Sequence, residues 1–295
     1  MRVLVTGSRG FVGRRLVKAL EQKGHSVKEF DIELGNDLLD TAQCTQACNG
    51  IDAVFHLAAV LDEKSAQLEK VNVWGTENIL NAAARQRCSQ FIFLSTVGVN
   101  AGCKERASEK SPFAPRTQYE KSKAKAEKIV LESQEMLPIT IVRSALVLGP
   151  NAYWEGIVKL VKKGFPLIGG GKQEWQTIYV DDLVSALLFV LGKKECTGET
   201  FIVAEQDRPT LRQLYEEMQK QLGIKRKIKT MPVWLAKLGA LLNGNKGIVS
   251  CEHIDRLARK RSYDTSKINA LGWKAKTTME EAVKKTIEEL KQQDQ

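Results

Sequence analysis

The sequence predicts an α/β fold, a doubly wound parallel sheet followed by a smaller, mostly helical C-terminal substrate lobe. Three observations carry this. Apolar strand-like runs alternate with amphipathic stretches through the first half, a glycine triplet stands where the first run should turn into a helix, and the alternation loosens after Gly149 and Pro150.

The runs fall near 2 to 6, 26 to 30, 52 to 56, 89 to 95 and 138 to 143. Helical stretches between them are what right-handed βαβ crossovers require. After the first run, Val3 to Val5, come Gly7, Gly10 and Gly13. An apolar face of Phe11, Val12, Leu16, Ala19 and Leu20 then marks a helix that Gly24 stops before the second strand. Beyond Pro150 come a run of glycines from Gly169 to Gly171, a short strand ending at Tyr179 and Val180, and a helix from Asp182. Thr210 with Gln213, and Thr277 with Glu280, fit capping boxes at helix starts. The expected division is 1–150 for the nucleotide-binding domain and 151–295 for the substrate lobe, with sheet-completing segments around 177–203.

At 295 residues, 43% hydrophobic and 27% charged, the composition is that of a globular protein with a full core. The chain opens on a strand rather than a charged segment followed by an apolar one, so a cytoplasmic protein without a secretory leader is expected. No apolar run approaches the length of a membrane span. Six cysteines are scattered without a CxxC pair, which argues for reduced thiols and against a metal site. The formal charge of +10 is spread over Lys159, Lys162 and Lys163, Lys225 to Lys229, and Arg256 to Arg261, without the interleaved aromatics of a nucleic-acid surface. A general attraction for anions suffices, and no nucleic-acid partner is expected. The apolar segment Pro232 to Leu242, which carries Trp234, follows one of these basic runs. It reads first as a helix that closes a pocket or packs on the core, and second as one associated with a membrane surface.

The glycine triplet points to a nucleotide cofactor. Glycine takes positive φ and has no Cβ, so the backbone can approach a pyrophosphate while the next helix aims its amides at the charge. Asp31, at the end of the second strand, can accept both ribose hydroxyls and would repel a 2′-phosphate, which favours NAD. Arg9 in the glycine loop keeps NADP open as the alternative. Tyr119 and Lys123 stand four apart in a segment that reads as a helix, so both share one face. A nearby ammonium and a cationic nicotinamide ring are expected to lower the phenol toward working pH, making Tyr119 a proton donor and acceptor. Upstream, Ser95 and Thr96 end a strand and offer hydroxyls to a carbonyl or alcohol oxygen.

Together these residues resemble the extended short-chain dehydrogenase/reductase family, which includes NAD-dependent sugar epimerases and dehydratases. TGxxGxxG is similar to Thr6 to Gly13, and the Asp-apolar pair beside the adenine to Asp37 and Leu38. HxAA resembles His56, Leu57, Ala58 and Ala59, the helix asparagine matches Asn72, and YxxxK matches Tyr119 and Lys123. The active-site hydroxyl then falls on Thr96 rather than Ser95, and His56 reads as structural. The resemblance implies a Rossmann-type domain, bound NAD or NADP, hydride transfer at a carbon whose oxygen Tyr119 handles, and a homodimer for which the Tyr119 helix is a candidate surface.

The pattern breaks in two places. Relatives acting on nucleotide sugars carry Arg-Pro-x-Asn after the fifth strand, where this chain reads Arg143, Ser144, Ala145, Leu146. They also place a diphosphate-clamping arginine where the alignment puts Trp175, and a tryptophan offers no bidentate clamp. With Trp154 and Trp234 this suggests a more apolar pocket, although all three fit a lobe core equally well. The sequence therefore favours an NAD(P)-dependent oxidoreductase for a fairly apolar alcohol or ketone, with a nucleotide-sugar epimerase or dehydratase that retains NAD as the alternative.

Overall fold

In a computed structural model describing residues 1–103, 105–242, 244 and 250–293, the glycines follow β1 (Arg2–Thr6) and lead into α1 (Phe11–Gln22). Then come β2 (Ser26–Phe30), α2 (Thr41–Cys48), β3 (Ala53–His56), α3 (Thr76–Arg85), β4 (Gln90–Thr96), α4 (Gln118–Glu132) and β5 (Ile139–Ser144). The second half holds β6 (Leu146–Leu148), α5 (Ala152–Lys163), β7 (Leu167–Ile168), β8 (Thr177–Tyr179), α6 (Val180–Val190) and β9 (Glu199–Val203). It ends with α7 (Leu211–Gln221), β10 (Thr230–Met231), α8 (Val233–Leu242), α9 (Cys251–Ala258), α10 (Ser266–Ala270) and α11 (Met279–Gln293).

The main sheet has six parallel strands in the order β2-β1-β3-β4-β5-β9. Its side chains alternate between two cores. Val3, Val5, Phe55, Ile92 and Val142 pack with α1 and α6, whereas Leu4, Val54, Phe91, Phe93 and Ile141 pack with α2, α3 and α4. Helices on both faces explain why these strands read as continuous apolar runs. The first half therefore matches its expected strands to within a residue. The sixth strand comes from 199–203, long after the lobe has begun, so the sheet is closed by chain that has already left it.

The lobe has its own core, built from Trp154 and Val158 of α5, Leu214 and Met218 of α7, and Val283 and Ile287 of α11, with Trp175 between them. A smaller cluster of Ile168, Ala236, Ala240 and Ile254 lies under α8 and α9. Thr210 and Gln213 form the expected capping box. The second box sits one residue later than expected: Thr278 Oγ1 accepts from the Glu281 amide, and Glu281 Oε2 accepts from the Thr278 amide, each at 3.3 Å. The amide of Thr277 is instead held by Asp182 Oδ2 at 2.9 Å, which displaces the helix start. No helix among the described residues is long and apolar enough to cross a membrane.

Candidate active site

The glycine loop closes where the carboxyl ends of β1 and β3 meet. Gly7 has φ +70, and a Cβ there would stand 2.7 Å from the Ala58 nitrogen. A Cβ on Gly13 would stand 2.0 Å from the Gly7 carbonyl oxygen. Both positions exclude any side chain, because backbone rather than a flexible group lies in the way. Gly10 is the N-cap of α1 and makes no side-chain capping bond, so the positive end of the helix faces outward uncapped. Ser8 in the same loop is buried, and its Oγ has no hydrogen-bond partner. Phe11 and Val12 turn the other way and pack toward the lobe core, Phe11 lying against Gly149. A cradle that a Cβ would fill, beside an orphaned buried hydroxyl and an uncapped helix end, fits a dinucleotide pyrophosphate.

Asp31 immediately follows β2. Its Oδ2 accepts from the Arg9 amide at 2.9 Å and its Oδ1 from the Glu33 amide at 3.0 Å. Each carboxylate oxygen keeps further acceptor capacity. The Arg9 guanidinium is drawn to Glu29, with Nη2 to Oε1 at 2.8 Å. A 2′-phosphate at this point would meet two carboxylates and an arginine that is already paired.

Leu57, Ala58 and Ala59 continue from β3 as a half-buried loop beside Gly7, and Ala58 donates its amide to Thr6 Oγ1 at 3.3 Å. Asn72 lies in a π-helical stretch from Lys70 to Gly75. It pins this loop by accepting from the Val60 amide at 2.7 Å and donating to the Val60 carbonyl at 2.9 Å, and it donates to Ser122 of α4 at 2.9 Å. Asp37 forms a turn with the Leu39 amide at 2.8 Å. Leu38 is buried in the core between α2 and α3, against Gly75, so its side chain serves packing. His56 is fully buried between two hydroxyls, Thr6 Oγ1 at 2.7 Å and Thr76 Oγ1 at 2.9 Å. Burial pushes it down to about 3, Lys123 adding to the effect, so it is neutral and structural as expected.

The candidate chemistry lies on α4 and the end of β4. Thr117 and Glu120 cap α4 reciprocally, which sets its first turn beside Gly98. A Cβ on Gly98 would stand 2.8 Å from Glu120 Cγ and 3.3 Å from Thr96 Oγ1, so this glycine lets α4 close against the strand end. Thr96 accepts from the Gly98 amide at 3.1 Å, leaving its O–H free to donate. Ser95 points the other way, its hydroxyl donating to buried Glu127. Strand alternation thus separates the two adjacent hydroxyls.

Lys123 is 2% exposed, its ammonium 4.0 Å from the centre of the Phe93 ring. Desolvation pulls it down to about 7, and Glu127, one turn further along α4, opposes that. Glu127 Oε1 in turn accepts from Arg143 Nε at 2.9 Å and Nη2 at 2.6 Å, and Arg143 also donates to Asn100 Oδ1 at 3.1 Å. Arg143, the one residue of the Arg-Pro-x-Asn stretch that this chain keeps at its start, is therefore a buried brace behind Lys123. Tyr119 departs from expectation. Burial pushes its phenol up to about 12, Arg256 is the cation that pulls it down, and Glu120 and Glu63 add to the rise.

The lobe closes the cleft with groups that sequence reasoning missed. Arg256 of α9 pairs with Glu63, whose Oε2 accepts from the Gln118 amide at the start of α4 at 2.9 Å. Arg259 pairs with Glu120 at 3.1 Å. A chain of rings runs on from there. His253 stacks on Tyr153 at 5.5 Å, Tyr153 meets Trp154 at 5.4 Å, Trp154 meets Trp175 at 6.4 Å, and the Arg261 guanidinium lies 4.9 Å over the Trp175 ring. His253 Nε2, Trp175 Nε1, Arg259 Nε and Arg261 Nε are buried without partners. The position that lacks a clamping arginine thus has a guanidinium stacked upon it from 86 residues downstream. The only sequence signal was the charge run Arg256 to Arg261, which composition alone could not place. Trp154 and Trp175 are at once lobe core and the wall of an apolar cavity with Leu160, Leu167, Leu214 and Met218, whereas Trp234 is exposed.

Comparison with known proteins agrees with this architecture. The chain is 28% identical to the UDP-glucose 4-epimerase of Vibrio cholerae over 317 aligned residues, covering 97% of this chain and 94% of that protein. It is 26% identical to the N-acetyl-alpha-D-glucosaminyl-diphospho-ditrans,octacis-undecaprenol 4-epimerase of Escherichia coli O157:H7, covering 97% and 94%. The crystal structure of a UDP-glucose 4-epimerase with UDP-glucose from Thermotoga maritima superposes with a TM-score of 0.81 at 24% identity, covering 100% of both chains. Residues 3–204 match the family model described as the NAD dependent epimerase/dehydratase family, and that span contains the glycine cradle, Asp31, Thr96, Tyr119 and Lys123 alike: the chain belongs to this family.

Proposed function

We propose that the protein is an NAD-dependent oxidoreductase that acts on a sugar carried by a diphosphate, a nucleotide sugar being the substrate class, through a cycle of oxidation and reduction. One observation carries the chemistry. Lys123 packs over Phe93 of the strand that ends in Thr96, and Tyr119 stands one helical turn before Lys123, which supports phenol, amine and hydroxyl acting together at the end of β4.

Gly7, Gly10, Gly13 and the uncapped start of α1 would hold the pyrophosphate, and Asp31 the adenosine ribose. The pairing of Arg9 with Glu29 supports NAD over NADP. When bound, oxidised NAD supplies the hydride acceptor and a positive charge. With the coenzyme's positive charge beside it, Tyr119 would first release its own proton to solvent, and as the phenolate would then take the proton of the reacting hydroxyl and return it on reduction. Thr96 donates to the same oxygen and holds it in line. Lys123, kept charged by Glu127, supports the ribose and the phenol.

The match of residues 3–204 to the epimerase/dehydratase family and the nucleotide-sugar names of the relatives support this class over the apolar alcohol that the sequence first favoured. Arg259 and Arg261 supply cations where Trp175 removes one. A second reading, a sugar diphosphate carried on a polyprenyl lipid, is favoured by the apolar cavity beside Trp154 and Trp175 and by the name of the Escherichia coli relative.

The test is Tyr119→Phe. Turnover is expected to fall by about 10²-fold or more while NAD still quenches protein fluorescence, and unchanged turnover would remove Tyr119 from the chemistry. With UDP-sugars, an altered sugar without net NADH supports the cycle. Steady NADH formation from a simple alcohol would return the assignment to a net oxidoreductase.

A further inference from the structure

The helix α8 is attached to the protein by its smallest residues. Ala236 and Ala240 are buried against Ile168 and Ile254, and Val233 packs beside them. The rest of the helix is apolar and faces out: Trp234 is 68% exposed and Leu242 82%, with Leu235, Leu238 and Leu241 exposed between them. Its single cation, Lys237, is tied to Asp255 of α9 at 2.7 Å. The exposed leucines and Trp234 form an apolar ridge on α8, and none of them lines the apolar cavity beside Trp154 and Trp175. A buried helix would show its large residues inward and a solvated one its charges outward, and α8 does neither.

Charge selects the occupant. Lys225, Arg226, Lys227 and Lys229 are all exposed and lead through β10 directly into α8. A second copy meeting this surface would bring another basic run and no counter-charge for the lysines. An anionic surface meets both features at once, taking the leucines and Trp234 into its apolar layer and the lysines at its charged boundary.

We propose that α8 and the basic run before it form a docking surface for an anionic lipid bilayer, on which the protein lies peripherally. This goes beyond the reading of the active site and does not rest on it. The face carrying α8 is joined to the candidate site through α9, which bears Lys237's partner Asp255 and, one residue on, Arg256.

The experiment is cosedimentation of the full chain with vesicles of phosphatidylcholine alone or with phosphatidylglycerol, without substrate or coenzyme. Binding is expected to the anionic vesicles only, to weaken sharply at about 0.5 M salt, and to move the Trp234 emission to shorter wavelength, a change absent in Trp234→Phe. Replacing Leu238 and Leu241 by Ser is expected to weaken binding about tenfold or more. Circular dichroism and thermal melting report whether that variant is folded, and Lys225→Glu with Lys227→Glu, which leaves the helix intact, is expected to abolish the anionic preference. No sedimentation with anionic vesicles overturns the proposal, as does binding that survives both variants. A concentration-dependent dimer lost on Leu238→Ser would overturn it too, by giving the ridge to a second copy.

Discussion

The two walls of the cleft are made of different material. The N-terminal wall is backbone: a loop in which a Cβ on Gly7 or Gly13 would stand within 3 Å of other main-chain atoms, and a helix end with no side-chain cap. The opposite wall is side chains, with Arg256 and Arg259 held by Glu63 and Glu120 and Arg261 lying on Trp175. A backbone wall is intolerant but insensitive to charge. A side-chain wall tolerates changes of shape and answers to pH, salt and single charges.

The largest effect that can break this comparison is Gly7→Val. A β-branched residue at φ +70 against Ala58 is expected to lower NAD affinity by about 100-fold or more. Gly24→Ala is the control, since Gly24 has φ +78 but nothing within 4 Å, and it should cost about 1 kcal/mol of stability without touching affinity. Calorimetric titration and thermal melting of both variants decide it, and equal losses of affinity would mean that strain rather than close approach matters at Gly7.

Next comes the brace behind the amine. Glu127→Gln leaves Arg143 buried without its counter-charge and is expected to destabilise the protein by about 3–5 kcal/mol in urea unfolding. An effect under about 1 kcal/mol would show that Arg143 finds other partners at no cost.

A smaller effect is expected from Asp31→Asn, which removes the charge facing the ribose but keeps a hydrogen-bonding group. NAD affinity should fall about tenfold and the preference over NADP should narrow. Because Glu29 still holds Arg9, full reversal to NADP would contradict the pairing seen here.

The smallest effect sharpens the contrast by pH. Lys123 sits at about 7 in the folded protein against an ordinary value of 10.5. Between these values the unfolded chain binds the extra proton, so stability from this group rises with pH through that window and the cost of burying the ammonium is fully present below it. Wild type should therefore gain on Lys123→Met by about 2 °C or more in melting temperature between about pH 6 and pH 9. A constant difference across that range would mean that Lys123 is better solvated than its burial implies.

Much of the first wall was legible because its determinants are local. Strand runs, the glycine spacing, Asp31 and the four-residue step from Tyr119 to Lys123 depend on periodicity and on what a Cβ permits, and the structure brings them to the carboxyl ends of adjacent strands. Strand alternation says that Ser95 and Thr96 point apart but not which of them meets a substrate; the preference for Thr96 came from the family resemblance, and the structure engages Ser95 with Glu127. That the Leu38 side chain packs against Gly75 was not legible, because a motif position does not say which way its side chain faces. The phenol is pushed up rather than down because burial outweighs the pull of Arg256, a balance that helical spacing does not encode. The capping box of the last helix slipped by one residue because Asp182, 95 positions away, claims the Thr277 amide.

By itself the sequence determined the parallel sheet, the cradle and which residues share a helix face, because these follow from side-chain size and chain periodicity over a few neighbouring positions. Only the tertiary structure decided which cations enter the cleft, what braces Lys123, and that α8 turns its leucines outward. Those are matters of desolvation and of pairing between residues tens to hundreds of positions apart, and no local pattern encodes who stands opposite whom.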